Sequence, residues 1–140
     1  MSGIRFFVAG TPKAMQTSAR KRVPVGGGKF THLPEKRNAE WGLLVGYTGR
    51  QHAPGLPLTG PIRLAVTFYV VRPASANKRV LWPLKRPDVD NLVHKLTDQW
   101  NGVFWHDDSQ IVELVIRKRF AESGGNTGAA FAVEPVEGAP

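Results

Sequence analysis

Ile62-Arg63-Leu64-Ala65-Val66-Thr67-Phe68-Tyr69-Val70-Val71 alternates without a break, with Ile62, Leu64, Val66, Phe68 and Val70 on one side and Arg63, Thr67 and Tyr69 on the other. Successive side chains of a strand leave opposite faces, so a period of two predicts a central β-strand with one face against a core. Toward the C-terminus, residues 72–86 form a proline-broken basic connector carrying Arg72, Lys78, Arg79, Lys85 and Arg86. Val89, Leu92, Val93, Leu96 and Trp100 then recur at helical spacing, which predicts an amphipathic helix stopped by Asn101-Gly102. Asp88 or Asp90 suits its N-cap, because a carboxylate accepts hydrogen bonds from free amides of the first turn. A strand is predicted over Ile111–Phe120, with Val112, Leu114, Ile116 and Phe120 on one face, and a weaker one over Ala129–Val133. Residues 135–140 are expected to fray.

Toward the N-terminus, Ile4, Phe6 and Val8 alternate with Arg5 and Phe7, predicting a half-buried strand over Ile4–Ala9 that Gly10-Thr11-Pro12 ends. The segment 13–29 has no apolar period and holds Lys13, Arg20, Lys21, Arg22 and Lys29 around Gly26-Gly27-Gly28, which reads as a basic flexible loop. Pro34 suits the first position of a helix, and Ala39, Leu43, Leu44 and Tyr47 recur at helical spacing before Gly49, with Gly42 and Gly46 weakening it. The expected fold is a single small α+β domain over residues 1–140, with two helices packed on a mainly antiparallel sheet.

The chain has 140 residues, a formal charge of +8 and no cysteine. Disulfide scaffolds, thiolate metal sites and cysteine nucleophiles are therefore excluded, and a reducing cytoplasm suits the composition. No apolar run approaches the roughly 18 residues of a membrane span, and Arg5 interrupts the N-terminal apolar stretch, so a soluble, unexported, cytoplasmic protein without a membrane partner is expected. Residues 1–60 hold nine basic and two acidic residues, residues 61–140 ten and nine. All five aspartates, Asp88, Asp90, Asp98, Asp107 and Asp108, fall within 21 residues.

Clustered carboxylates repel and raise one another's pKa unless a cation neutralises them. If the helix folds back on the strand after it, Asp88/Asp90 and Asp107/Asp108 come together at a site suited to Mg2+, or Mn2+ in its place. Mg2+ takes one or two carboxylates plus substrate phosphate. In a continuous helix Asp90 and Asp98 would be separated by about 12 Å, which argues against a shared ion and leaves Asp98 a solvated or structural residue. Each pair has a plainer reading, a helix cap for Asp88 and a polar turn for Asp107-Asp108. The surplus of lysine and arginine favours the metal reading. On the helical wheel His94 shares the flank of Asp90, placed to contact phosphate, move a proton or ligate metal, or simply to lie exposed, and Lys95 lies about a quarter turn farther round. Trp82, Trp100 and Trp105 border the site in sequence; stacking on splayed bases is open to them, with core packing the default.

Arg86-Pro87-Asp88-Val89-Asp90-Asn91-Leu92, then Asp98, then Phe104-Trp105-His106-Asp107-Asp108-Ser109-Gln110-Ile111-Val112, resembles the RusA family of Holliday-junction resolvases. The likeness is sharp over residues 85–120 and extends more loosely to the strand and turn from Phe7 to Lys13. It implies a homodimeric, Mg2+-dependent endonuclease that cuts four-way and related branched DNA. By position, Asp88, Asp90 and Asp108 match the family's essential carboxylates and Asp107 a further acid. The family's catalytic lysine falls at His94, one residue before Lys95; the permanent charge of Lys95 favours it as the cation. Lys13, Arg20, Lys21, Arg22, Lys85 and Arg86 would hold DNA phosphates, with binding that weakens steeply in salt. One acidic cluster per chain and two incisions per junction also suit a two-fold dimer. The competing expectations are a non-enzymatic nucleic-acid-binding module with a structural acidic cluster and a phosphodiesterase for small substrates, the latter opposed by the charge.

Overall fold

The computed structural model describes residues 3–14, 20–34, 39–74, 79–93, 95–122 and 124–137, the side chains of 20–23, 30–34 and 39 excepted. The alternating stretch is strand β4 (Ile62–Val70), interior to a four-stranded sheet. On one side it pairs antiparallel with β6 (Gly128–Pro135), which pairs antiparallel with β1 (Ile4–Ala9). On the other it runs parallel to β5 (Ile111–Phe120), giving the order β1-β6-β4-β5. The fold is the expected α+β class. A parallel neighbour requires a long crossover, and here the crossover from β4 to β5 carries the basic connector, helix α2 (Val89–Val93), and 3-10 turns at Thr97–Trp100 and Asp108–Gln110. All five aspartates lie on that crossover, so the parallel pairing places them over one face of the sheet.

That face is the core. Ile62, Leu64, Val66 and Phe68 are fully buried against Leu92, Leu96, Trp100, Phe104 and Trp105 of the crossover, with Phe6, Val8, Phe131 and Val133 from the neighbouring strands. Phe6 stacks on Phe131 at 5.1 Å and on Phe104 at 5.6 Å, while Trp100 meets Phe104 edge-on at 5.1 Å. Such pairs add about 0.5–1.5 kcal/mol each beyond area burial.

Several expectations change. The segment 13–29 is not wholly a loop, because β2 (Arg20–Gly26) and β3 (Lys29–Pro34) form an antiparallel hairpin. Gly26, Gly27 and Gly28 all adopt positive φ at its tip, which is the chemistry that turns the chain there. Pro34 consequently ends β3 and does not start a helix; α1 is Ala39–His52. The face of α1 is also inverted: Trp41 and Val45 are buried while Leu43 and Tyr47 are exposed. Gly46 and Gly49 are the close-packing positions, since a Cβ at Gly49 would lie 2.5 Å from Trp100 Nε1. The helix after Asp88 stops at Val93, because Lys95 takes φ +68°, a left-handed conformation outside the helical range and uncommon for a residue with a Cβ, before the turn at Thr97. At the C-terminus β6 runs to Pro135 and Val136 N–H bonds the Pro61 carbonyl at 2.9 Å, so residues 135 and 136 are anchored; 138–140 lie outside the described residues. Trp100 and Trp105 are core, as expected, but Trp82 is 53% exposed.

Candidate active site

Breaking the helix changes which acids meet. A continuous helix would carry Asp98 away from the start of β5, whereas the left-handed turn at Lys95 and the 3-10 turn after it set the Asp98 carboxyl in hydrogen-bonding contact with that of Asp108. Lys95 Nζ lies 3.8 Å from Asp98 Oδ2, so a cation stands beside this acidic pair. The contact with Asp98, burial and the nearby charge of Asp107 push the Asp108 carboxyl above its ordinary value. Asp107 goes the other way. The Ser109 hydroxyl and the Ser109 N–H, which donates to Asp107 Oδ2 at 3.1 Å, hold it below the usual carboxylate range.

Asp107 therefore caps the 3-10 turn at Asp108–Gln110 and leaves Asp108 to face Asp98. Gln110 completes the cap. Its Oε1 accepts from His106 N–H at 2.8 Å and Asp107 N–H at 3.0 Å, and its Nε2 donates to the Leu58 and Gly60 carbonyls at 2.9 and 3.0 Å. This one side chain locks the acidic turn onto the loop that leads into β4. Sequence reading quoted Gln110 within the motif without a role for it. Its place three residues after a capping Asp was the available signal.

Asp88 and Asp90 stand exposed at the start of α2, where the Leu92 N–H bonds the Asp88 carbonyl at 3.0 Å. Helix α2 packs against β5, the strand that Asp107 and Asp108 lead into. The loop before Asp88 is fixed by Lys118 of β5, whose Nζ donates to the carbonyls of Lys85 at 2.9 Å and Pro87 at 2.8 Å. Lys118 was not singled out by sequence reading; nothing in a strand pattern shows that a lysine turns back to bind a loop.

The structure thus brings Lys95 and Asp98, at one 3-10 turn, beside Asp107 and Asp108, at the next, and places Asp88 and Asp90 on the helix before them. Among the described residues no three His, Asp or Glu side chains are arranged to hold an ion by themselves. Juxtaposed Asp98 and Asp108 suit a hard divalent cation in donor type, and one or two carboxylates suffice where phosphate and water complete the shell. His94 lies outside the described residues, and of Arg20, Lys21 and Arg22 only the backbone, in β2, is described. Lys13, Lys85 and Arg86 are exposed.

Residues 10–127, which span both acidic turns and the strands between which they lie, match the family described as Endodeoxyribonuclease RusA. The chain belongs to the RusA family. A RusA relative, the crossover junction endodeoxyribonuclease of Lactococcus phage r1t, is 41% identical over 61 residues, covering 41% of this chain and 44% of that protein. The uncharacterized protein YqaN of Bacillus subtilis is 32% identical over 132 residues, covering 87% of this chain and 91% of its own length. Membership makes the acidic crossover the candidate nuclease site of a RusA fold, and no helix among the described residues is long and apolar enough to cross a membrane.

Proposed function

We infer that the protein is a divalent-metal-dependent endonuclease that resolves four-way DNA junctions as a homodimer, making paired phosphodiester cuts. The observation that carries this reading is the family match over residues 10–127, which includes the crossover that crowds the Asp98 and Asp108 carboxyls together. Asp88, Asp90, Asp98 and Asp108 supply the hard oxygen donors. A bound Mg2+ or Mn2+ would polarise the scissile phosphate and lower the pKa of a water. The attacking water releases its proton to solvent or to a carboxylate of the cluster that the ion does not engage. Attack at phosphorus breaks the bond to the leaving sugar oxygen, and the ammonium of Lys95, held at Asp98, is placed to neutralise or protonate it. Exposed Lys13, Lys85 and Arg86 and the basic β2–β3 hairpin supply phosphate contacts around the junction. A two-fold dimer places one such site on each of two opposed strands.

The test is a labelled synthetic four-way junction incubated with Mg2+ and either the parent protein or Asp88→Asn. Symmetrically paired nicks by the parent, and an uncut but bound junction with the variant, are expected. Binding without cleavage by the parent would make the chain a non-catalytic junction binder. Equal cleavage by both would remove Asp88 from the site.

A further inference from the structure

Beside the acidic crossover lies a groove of about 710 Å3, bounded by Val70 and Phe120 at the ends of β4 and β5 and by Val80, Trp82, Leu84 and Pro87 of the connector. The size is that of a small-molecule pocket. Trp82 and Leu84 are 53% and 87% exposed, so apolar surface is presented where a connector would ordinarily be polar. Its edges are cationic. The Arg119 guanidinium sits 4.8 Å from the Trp82 ring centre, that of Arg72 sits 4.4 Å from the Phe120 ring centre, and Lys85 and Arg86 contribute to the wall. The wall is also held in place: Arg72 Nη1 donates to the Val80 carbonyl at 2.6 Å, and Lys118 holds the Lys85 and Pro87 carbonyls. Pro87 both lines the groove and precedes Asp88, so the floor of the groove is continuous with the start of the acidic helix.

We propose that this groove is a nucleobase pocket that receives one unstacked base of the DNA strand beside the phosphate to be cut, stacking it on Trp82. The occupant follows from the combination of features. A nucleotide offers an apolar aromatic face and an anionic phosphate one sugar away, and the groove offers an aromatic wall with basic residues at its rim. A base anchored there fixes the register of the backbone passing Asp88, which gives a simple domain a means of choosing where on a branch to cut. The inference rests on the reading of the chain as a DNA endonuclease and identifies a subsite of that function.

Trp41, Trp100 and Trp105 are buried, so quenching of tryptophan emission by a large solute reports on Trp82. The full chain would be titrated, in EDTA and therefore without cleavage, with a 12-nucleotide single strand and with an abasic strand of equal charge. Quenching by the base-bearing strand, with affinity about ten-fold above the abasic one, is expected from stacking on an aromatic wall. Trp82→Phe should abolish the quenching while keeping the preference, and Trp82→Ala should reduce the preference to less than about two-fold. Leu84→Ser, at a wall position exposed enough to leave folding intact, should weaken only the base-bearing strand. Equal affinities for the two strands, or unquenched emission at saturation, would overturn the pocket. So would emission that responds to protein dilution and not to DNA, which would seat a second copy there. Junction cleavage is scored separately: a chain that stacks bases on Trp82 but leaves a junction intact with Mg2+ keeps the pocket and loses the nuclease reading, and the converse result does the reverse.

Discussion

The Asp98 carboxyl meets that of Asp108, and the contact raises the pKa of Asp108. A carboxyl raised in the folded state binds its proton more tightly there than in the unfolded chain. It therefore costs stability above the folded-state pKa, and that cost disappears as pH falls below the ordinary value of 3.8. Asp98→Asn should relieve the repulsion. For the metal-free protein at pH 7 the melting temperature is expected to rise by about 1–3 °C, with the gain vanishing near pH 3. Mg2+ should stabilise the parent more than the variant. Thermal melts across pH, with and without Mg2+, check both; superimposable curves would show that the two acids do not interact.

Lys118 to Pro87 is the corresponding relationship on the other side of the site. Two carbonyls flanking the approach to Asp88 share one ammonium, and hydrogen bonds from a charged donor are the stronger kind. Lys118→Met should cost about 1–3 kcal/mol in denaturant unfolding. It should also slow single-turnover junction cleavage by about ten-fold, the factor a small misplacement of a reacting group can produce, with junction affinity unchanged. Lys118→Arg, which keeps charge and donors, should recover part of the rate. A loss of stability with an unaltered rate would confine Lys118 to a structural role.

The sheet was legible because its signal is local: Ile62–Val70 alternates, and the alternation is what the burial of Ile62, Leu64, Val66 and Phe68 requires. The acidic turns were legible as motifs. What was not legible depends on backbone conformation or on a partner far along the chain. The wheel that put His94 on the flank of Asp90, and the separation that set Asp98 apart, assumed a continuous helix that Lys95, at φ +68°, interrupts, so Asp98 turned from a bystander into the neighbour of Asp108. Val112 and Leu114 are exposed, Leu114 although it pairs with buried Leu64, because β5 is the edge strand of the sheet, and a place at the edge is not contained in the pattern of β5 alone. Helix α1 was misread for a packing reason, its glycines being the buried face and its leucines largely the open one.

Gly49 tests that last point. At an exposed helix interior Gly→Ala gains about 1 kcal/mol. At Gly49 the added Cβ would stand 2.5 Å from Trp100 Nε1 and 2.6 Å from its Cε2, inside the contact distance of a fully buried ring. Overpacking of this kind costs about 1–3 kcal/mol, so Gly49→Ala should lower stability in chemical denaturation. Gly55→Ala, where a Cβ meets nothing within 4 Å, is the control and should stay within about 0.5 kcal/mol of the parent.

Gln110 separates donor from acceptor within one side chain. Its oxygen takes the His106 and Asp107 N–H groups, and its nitrogen serves the Leu58 and Gly60 carbonyls, so Gln110→Ala leaves four backbone groups to find other partners. A loss of about 2–4 kcal/mol is expected, with junction cleavage falling because the Asp107-Asp108 turn is no longer fixed. Gln110→Glu is the sharper variant. It retains acceptors for the two N–H groups but turns a carboxylate oxygen toward two carbonyls, which disfavours the charged form and raises the pKa of the new group. Its stability deficit should therefore be largest at pH 7 and shrink as pH falls through that raised pKa, when the protonated acid regains one donor. The parent, whose amide does not titrate, sets the background slope. Denaturant midpoints for the parent and both variants between pH 4 and 8 measure the difference; a Gln110→Glu deficit independent of pH would mean that the Leu58 and Gly60 bonds do not hold the turn.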